Sequence, residues 1–113
     1  MKIKSYNFGQ MVIEDKKYTS DLIIFPDRIK ESWWRKKGHS LCKEDIEEIL
    51  SERPEVLIIG TGFYGIMKVP DDLKEFIKKQ GIELYVEKTK KAVSLYNEIS
   101  ESKKTVGAFH LTC

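Results

Sequence analysis

Val56-Leu57-Ile58-Ile59-Gly60-Thr61-Gly62-Phe63-Tyr64-Gly65 is the stretch on which the fold turns. Four consecutive apolar residues between Pro54 and Gly60 predict a strand over 55–60 that is covered on both faces, as in a largely parallel sheet flanked by helices. On its carboxyl side, Pro70-Asp71-Asp72 opens a helix over 71–80 with the stripe Leu73, Phe76 and Ile77, and Gly81 supplies a left-handed stop. Ile82 to Glu87 alternates as a strand. Thr89 is the expected cap of a helix over 89–101, whose stripe is Ala92, Leu95, Tyr96 and Ile99. Residues 105–111 close the chain as a strand. On the amino side, Ile46, Ile49 and Leu50 keep helical spacing over 43–52, with Glu44 and Asp45 in the first turn and Pro54 ending the helix. The order α, β, α, β, α, β implies right-handed crossovers around a parallel core.

The first third reads differently. Ile3 to Phe8 alternates and stops at Gly9, and Met11 to Glu14 follows. Asp15-Lys16-Lys17 reads as a turn before Tyr18-Thr19. Leu22-Ile23-Ile24-Phe25 ends at Pro26-Asp27, and Arg28 to Trp34 alternates again. Short strands with tight connections predict an antiparallel meander. The expectation is an α/β fold in three layers, β beside α/β/α. The N-terminal meander would pack beside a mixed, largely parallel sheet flanked by helices, within one domain over 1–113.

Composition narrows the function classes. The chain has 113 residues, 41% hydrophobic and 34% charged, enough for a core without staples. A net charge of +2 is too small to imply nucleic acid or an anionic membrane. No apolar run reaches the ~18 residues of a membrane span. Met1-Lys2-Ile3-Lys4-Ser5-Tyr6 lacks the apolar stretch of a signal peptide, and two cysteines without an export signal read as reduced thiols. A cytoplasmic protein is expected, as a monomer or small homo-oligomer.

Three motifs bear on chemistry. Gly60-Thr61-Gly62-Phe63-Tyr64-Gly65 fits G-x-G-x-x-G after a strand, with Glu83 and Glu87 about 20 residues on. The dinucleotide motif, however, opens its helix within the loop, so that the helix N-terminus meets the pyrophosphate. Here Pro70 delays the helix past the glycines, so no nicotinamide cofactor is expected. A turn, or a small-anion loop at a sheet's carboxyl edge, remains. His39-Ser40-Leu41-Cys42 and His110-Leu111-Thr112-Cys113 hold every histidine and cysteine. Strand spacing turns His110 and Cys113 to opposite faces, so no metal site is expected. Ser32-Trp33-Trp34-Arg35-Lys36-Lys37-Gly38-His39 is the densest chemical segment. Its arginine fork suits carboxylate or phosphate, a tryptophan face can hold it flat, and His39 adds a titratable ring. Asp27, Glu31 and Asp45 are the nearby acids for Arg35. No nucleophile, base and orienter stand together as a catalytic set.

The same segments carry a family resemblance. Ser32-Trp33-Trp34-Arg35 with His39, Pro54-Glu55 running into Val56–Gly62, Thr89 with Ala92, Tyr96 and Asn97, and the closing Ala108-Phe109-His110-Leu111 keep order and spacing across nearly the whole chain. This set resembles a family of small uncharacterised archaeal and bacterial proteins. That family includes the adipogenesis-associated domain protein and the mitochondrial complex I assembly factor 3, and the sequence is similar to an archaeal member. The resemblance implies the three-layer fold and no established enzyme activity. It also implies that matched positions share a site.

The reading is therefore a small binding or assembly module without catalytic activity or cofactor. The alternative is a small-ligand or anion-binding protein or enzyme with a pocket near His39, Arg35 and the Thr61-Gly62 loop. Candidate ligand-binding residues are Trp34, Arg35, His39, Thr61, Gly62 and Asn97. Expected partners are proteins and a small anion, not nucleic acid.

Overall fold

The computed structural model describes residues 1–113. Strands β1 (Ile3–Asn7), β2 (Gln10–Ile13) and β3 (Lys16–Tyr18) form a three-stranded antiparallel sheet in the order β1-β2-β3. Strands β4 (Leu22–Phe25), β5 (Arg28–Glu31), β6 (Val56–Thr61), β7 (Glu83–Glu87) and β8 (Thr105–His110) form the main sheet in the order β5-β4-β8-β6-β7. Helices α1 (Glu47–Glu52), α2 (Asp71–Lys79) and α3 (Thr89–Ile99) cover it.

Strand β6 sits where its sequence places it. All of its residues are buried, and it pairs in parallel with β7 on one side and β8 on the other. The chain runs from β6 outward to β7 and then back past β6 to β8. Right-handed crossovers in opposite directions put their helices on opposite faces. Helix α2 thus packs on one side, where Leu57, Ile59, Val106 and Ala108 meet Ile46, Ile49, Leu73 and Ile77. Helix α3 packs on the other, where Val56, Ile58 and Phe109 meet Ala92 and Tyr96. The alternation of β6 and β8 thus feeds two separate cores through one sheet.

The expected meander divides. Strands β1 to β3 stay together, while β4 and β5 join the main sheet, β4 pairing antiparallel with both β5 and β8. Burial explains the split. Every residue of β4 is buried, so it needs cover on both faces, whereas β2 alternates and buries one face only. Met11 and Ile13 of that face join Ile3 and Tyr18 over the α3 side of the main sheet. The main sheet is therefore mixed, with antiparallel pairings on the β4 side.

Several local boundaries differ from expectation. The turn before β3 is tighter, because Glu14 takes a left-handed φ of 52° and Lys16-Lys17 pair as strand. Strand β5 stops at Glu31, since Ser32 turns the chain at φ 56° and the Trp33 N–H donates to Asp21 O at 2.8 Å. The 43–52 helix opens as a 3-10 turn over Lys43–Ile46. The Asp45 carboxylate accepts the Cys42 N–H at 2.9 Å there, completing a capping box. Thr89 is the first residue of α3 rather than its cap, and its hydroxyl is spent on other partners.

Candidate functional site

The carboxyl ends of β6 and β8 meet the two long connections. Thr61 and His110 are register partners, so their side chains share one face of the sheet. The connection from β5 to α1 is drawn against the loop after β6. The Lys68 N–H donates to His39 O and the Leu41 N–H to Lys68 O, both at 2.8 Å. Arg35, His39, Thr61 and Gly62 therefore come to one end of the main sheet.

The centre of that end is Asp21, in the short link before β4. Its Oδ2 accepts from Arg35 Nη2 at 2.7 Å and from His110 Nδ1 at 2.7 Å. Its Oδ1 accepts the Leu111 N–H at 2.7 Å. Burial raises the carboxyl pKa, but the hydrogen bonds from His110, the Leu111 N–H and Arg35 outweigh it and hold Asp21 below its ordinary value. Because Asp21 is ionised, the His110 Nδ1 that faces it carries the proton. The Arg35 and His110 side chains are each only 7% exposed. Arg35 lies over the Trp33 ring, 4.9 Å from its centroid, and Nη2 also reaches Gly38 O at 3.3 Å. The guanidinium is thus held flat as its neighbours suggest, but by a different acid. Asp27 pairs with Arg28, Glu31 with Lys16, and Asp45 accepts backbone N–H groups. Three buried nitrogens of the cluster, Arg35 Nε, Arg35 Nη1 and His110 Nε2, have no partner. His39 is exposed and meets His110 edge-on, ring centroids 6.1 Å apart.

The glycine loop is filled by the chain itself. The Phe63 N–H donates to Thr112 O at 2.6 Å, and the Ile66 N–H to Cys113 O at 2.9 Å. A Cβ on Gly62, at φ 109°, would stand 2.3 Å from the Cys113 carbonyl carbon. Its glycine is needed so that residues 112–113 can lie against the loop. Helix α2 begins only at Asp71, so no helix N-terminus enters the loop. Thr61 Oγ1 donates to Glu87 O at 3.1 Å. Thr89 Oγ1 accepts the Gly62 N–H at 2.8 Å and donates to His110 O at 2.6 Å. These hydroxyls lock three strand ends together.

The remaining sequence candidates lie elsewhere. Trp34 is 76% exposed and borders a cleft of about 310 Å³ with Lys30, Lys36, Glu44 and Glu48. Asn97 sits on α3 and clamps the backbone of Ile3. No group of three or more His, Cys, Asp or Glu side chains is gathered for a metal ion. No helix is long and apolar enough to cross a membrane.

Next to the glycine loop the surface is aromatic. Phe8, Phe63, Tyr64 and Ile66 are all exposed. Phe63 meets Tyr64 at 5.0 Å, Phe8 at 5.8 Å and Tyr6 at 6.3 Å between ring centroids. Sequence reasoning missed this face and the role of Asp21. The available signals were the bulky apolar residues inside a glycine-bounded loop, and an acid set directly before a wholly apolar strand.

A protein family of unknown function, DUF498/DUF598, matches residues 3–111. The fold is similar to conserved hypothetical protein PH1505 from Pyrococcus horikoshii, at 31% identity over 100% of both chains and a TM-score of 0.86. It is similar to the protein MT938, at 25% identity over 99% of this chain and 98% of that one, TM-score 0.80. A Bartonella henselae chain described as an outer membrane protein matches at 24% identity over 98% and 94% of the two chains, TM-score 0.81, a likeness of fold alone.

Proposed function

We propose that this chain, which belongs to the DUF498/DUF598 family of proteins of unknown function, is a single-domain, non-catalytic module that docks a protein partner. The observation that carries this is the contiguous exposed platform of Phe8, Phe63 and Tyr64, with Ile66 exposed two residues further along the same loop. Exposed apolar side chains are unremarkable singly, but gathered aromatics are what interfaces use as anchors. The platform is stiff, since the Gly9 N–H donates to Leu111 O and the Phe63 N–H to Thr112 O. A rigid apolar face loses little entropy on binding. Lys88 runs alongside Gly65 and forms no ion pair, so it brings a positive charge to the rim. The partner is therefore an apolar segment flanked by acidic residues. An assembly role like that of the eukaryotic relatives the sequence resembles fits such a face, as does a cytoplasmic setting for two free thiols.

Asp21 and His110 resemble the orienter and base of a hydrolase. No hydroxyl or thiol of the chain is bonded to Nε2, however, so the nucleophile is missing. A second reading, anion binding at Arg35, is favoured by its unpartnered nitrogens.

The test is titration with two synthetic peptides, each carrying a pair of aromatic or aliphatic anchors, one flanked by acids and one by lysines. The acid-flanked peptide is expected to bind the wild type and the Trp34→Ser control, and not Phe63→Ser/Tyr64→Ser. Equal binding of both peptides, or undiminished binding by the double variant, overturns the docking face.

A further inference from the structure

We propose that Leu111, Thr112 and Cys113 are the positioning segment of the docking face. They seat two separate loops as one aromatic surface, and partner binding is coupled to their own seating. This rests on the docking reading above and adds to it residues outside the platform itself.

The platform comes from two places in the chain. Phe8 stands in the turn between β1 and β2, and Phe63 and Tyr64 in the loop after β6. No hydrogen bond joins the turn to the loop. They touch ring to ring, Phe8 meeting Phe63 at 5.8 Å and Tyr64 at 6.1 Å, and Tyr6 meeting Phe63 at 6.3 Å. What both share is the run of carbonyls that leaves β8. Leu111 O accepts the Gly9 N–H and the Tyr6 O–H, each at 2.8 Å. Thr112 O accepts the Phe63 N–H at 2.6 Å, and Cys113 O the Ile66 N–H at 2.9 Å. Three consecutive carbonyls are thus divided, the first to the turn and the next two to the loop. Packing follows the same division. A Cβ on Gly9 would lie 3.8 Å from Thr112 Cγ2, and one on Gly62 would lie 2.3 Å from the Cys113 carbonyl carbon. Both glycines hold a left-handed φ, 76° and 109°, so each loop turns bare backbone toward the segment where a side chain would be strained.

The loop has one other outside anchor, and it holds Gly62. Thr89 Oγ1 accepts the Gly62 N–H, and the Thr89 N–H donates to Gly62 O at 3.1 Å. Phe63 and Ile66, which follow, are tied to residues 112 and 113. Those two residues belong to no strand or helix, so the bonds that order the platform also order them. A partner that fixes the rings therefore favours the seated segment. By linkage, the seated segment favours the partner by the same factor. The gain is one of pre-organisation, since two loops already in register need not be ordered on binding.

The experiment compares the full-length wild type with Gly62→Ala, Tyr6→Phe and Gly81→Ala. Gly62→Ala pushes residues 112–113 off the loop. Tyr6→Phe removes one bond to Leu111 O and keeps the ring beside Phe63. Gly81→Ala is the control for backbone strain, with a φ of 81° at the end of α2 and nothing within 4 Å of its Cβ. NMR contacts between the Phe8 and Phe63 rings should vanish in Gly62→Ala and persist in Gly81→Ala. The acid-flanked peptide should bind Gly62→Ala at least tenfold more weakly than the wild type, Tyr6→Phe about threefold more weakly, and Gly81→Ala equally well. Saturating peptide should slow amide exchange at Phe63 and Ile66 of the wild type at least tenfold. Amide spectra establish that each variant is folded; should Gly62→Ala not fold, Tyr6→Phe and the wild-type exchange rates decide. Persistent Phe8–Phe63 contacts in folded Gly62→Ala, undiminished peptide affinity there, or exchange at Phe63 and Ile66 unmoved by bound peptide overturns the proposal and leaves the docking face standing. A wild type that binds neither peptide overturns both.

Discussion

The Asn97 side chain pairs with the backbone of Ile3 as a neighbouring strand would. Its Oδ1 accepts the Ile3 N–H at 2.9 Å and its Nδ2 donates to Ile3 O at 2.8 Å. One amide thus ties α3 to the first residue of β1 across 94 positions of sequence. Asn97→Ala should cost about 1–3 kcal/mol, since two partly buried backbone groups lose their partners. Asn97→Asp should cost at least as much at neutral pH, because a carboxylate oxygen then faces Ile3 O. Chemical denaturation of both variants measures this.

Acid should loosen the β8 end first. Asp21 has a folded pKa below its ordinary value, so its contribution is fully present above the unfolded value of about 3.9 and is lost as pH falls through the folded one. Asp21→Asn should flatten that acid limb. At neutral pH, Arg35→Ala should cost roughly 3–5 kcal/mol by stranding the carboxylate, and Arg35→Lys less. Urea titrations across acid pH separate the two effects.

Alkali should act through Tyr6. Burial, reinforced by the nearby Asp21 charge and only partly offset by Thr89, raises its pKa from 10.0 to about 12. A raised folded value means stability is whole below pH 10.0 and declines as pH climbs toward about 12. Tyr96, buried in the same core, shifts likewise to about 12. Tyr6→Phe should remove part of the alkaline slope. It should also lose the hydroxyl bond to Leu111 O, about 0.5–1.5 kcal/mol at neutral pH.

The glycines of the two loops should behave oppositely. Gly62→Ala combines a φ of 109° with a clash against residues 112–113, and should cost several kcal/mol, about 1–3 from strain with overpacking added. Gly38→Ala meets nothing and has no left-handed φ, so it should be neutral within ~0.5 kcal/mol or slightly stabilising. Thermal melts of the pair decide it.

Much of the architecture was legible in local pattern. The run Val56–Ile59 marked a strand with two covered faces, and the stripes on 71–80 and 89–101 marked helices that proved to be Asp71–Lys79 and Thr89–Ile99. Periodicity works here because each element's burial depends on its own residues. Thr89 shows where this ends. Its type and place before a stripe read as a cap, but its hydroxyl bridges Gly62 and His110, which no local spacing reveals.

The sequence by itself determined most strand and helix segments, though not the ends of β3, β5 and the 43–52 helix, and that Arg35 beside Trp33 would want an acid. Tertiary structure alone decided which acid. Asp21 reaches Arg35 and His110 only because β4 leaves the meander to pair with β8, which brings residues 21 and 110 to the same end of the sheet. It likewise decided that the glycine loop receives residues 112–113, and that Phe8 joins Phe63 and Tyr64 on one face. Hydrophobic periodicity is a property of neighbours a few positions apart. These contacts close loops of tens of residues, and their partners are set by strand order and crossover direction, which the pattern of any one segment does not contain.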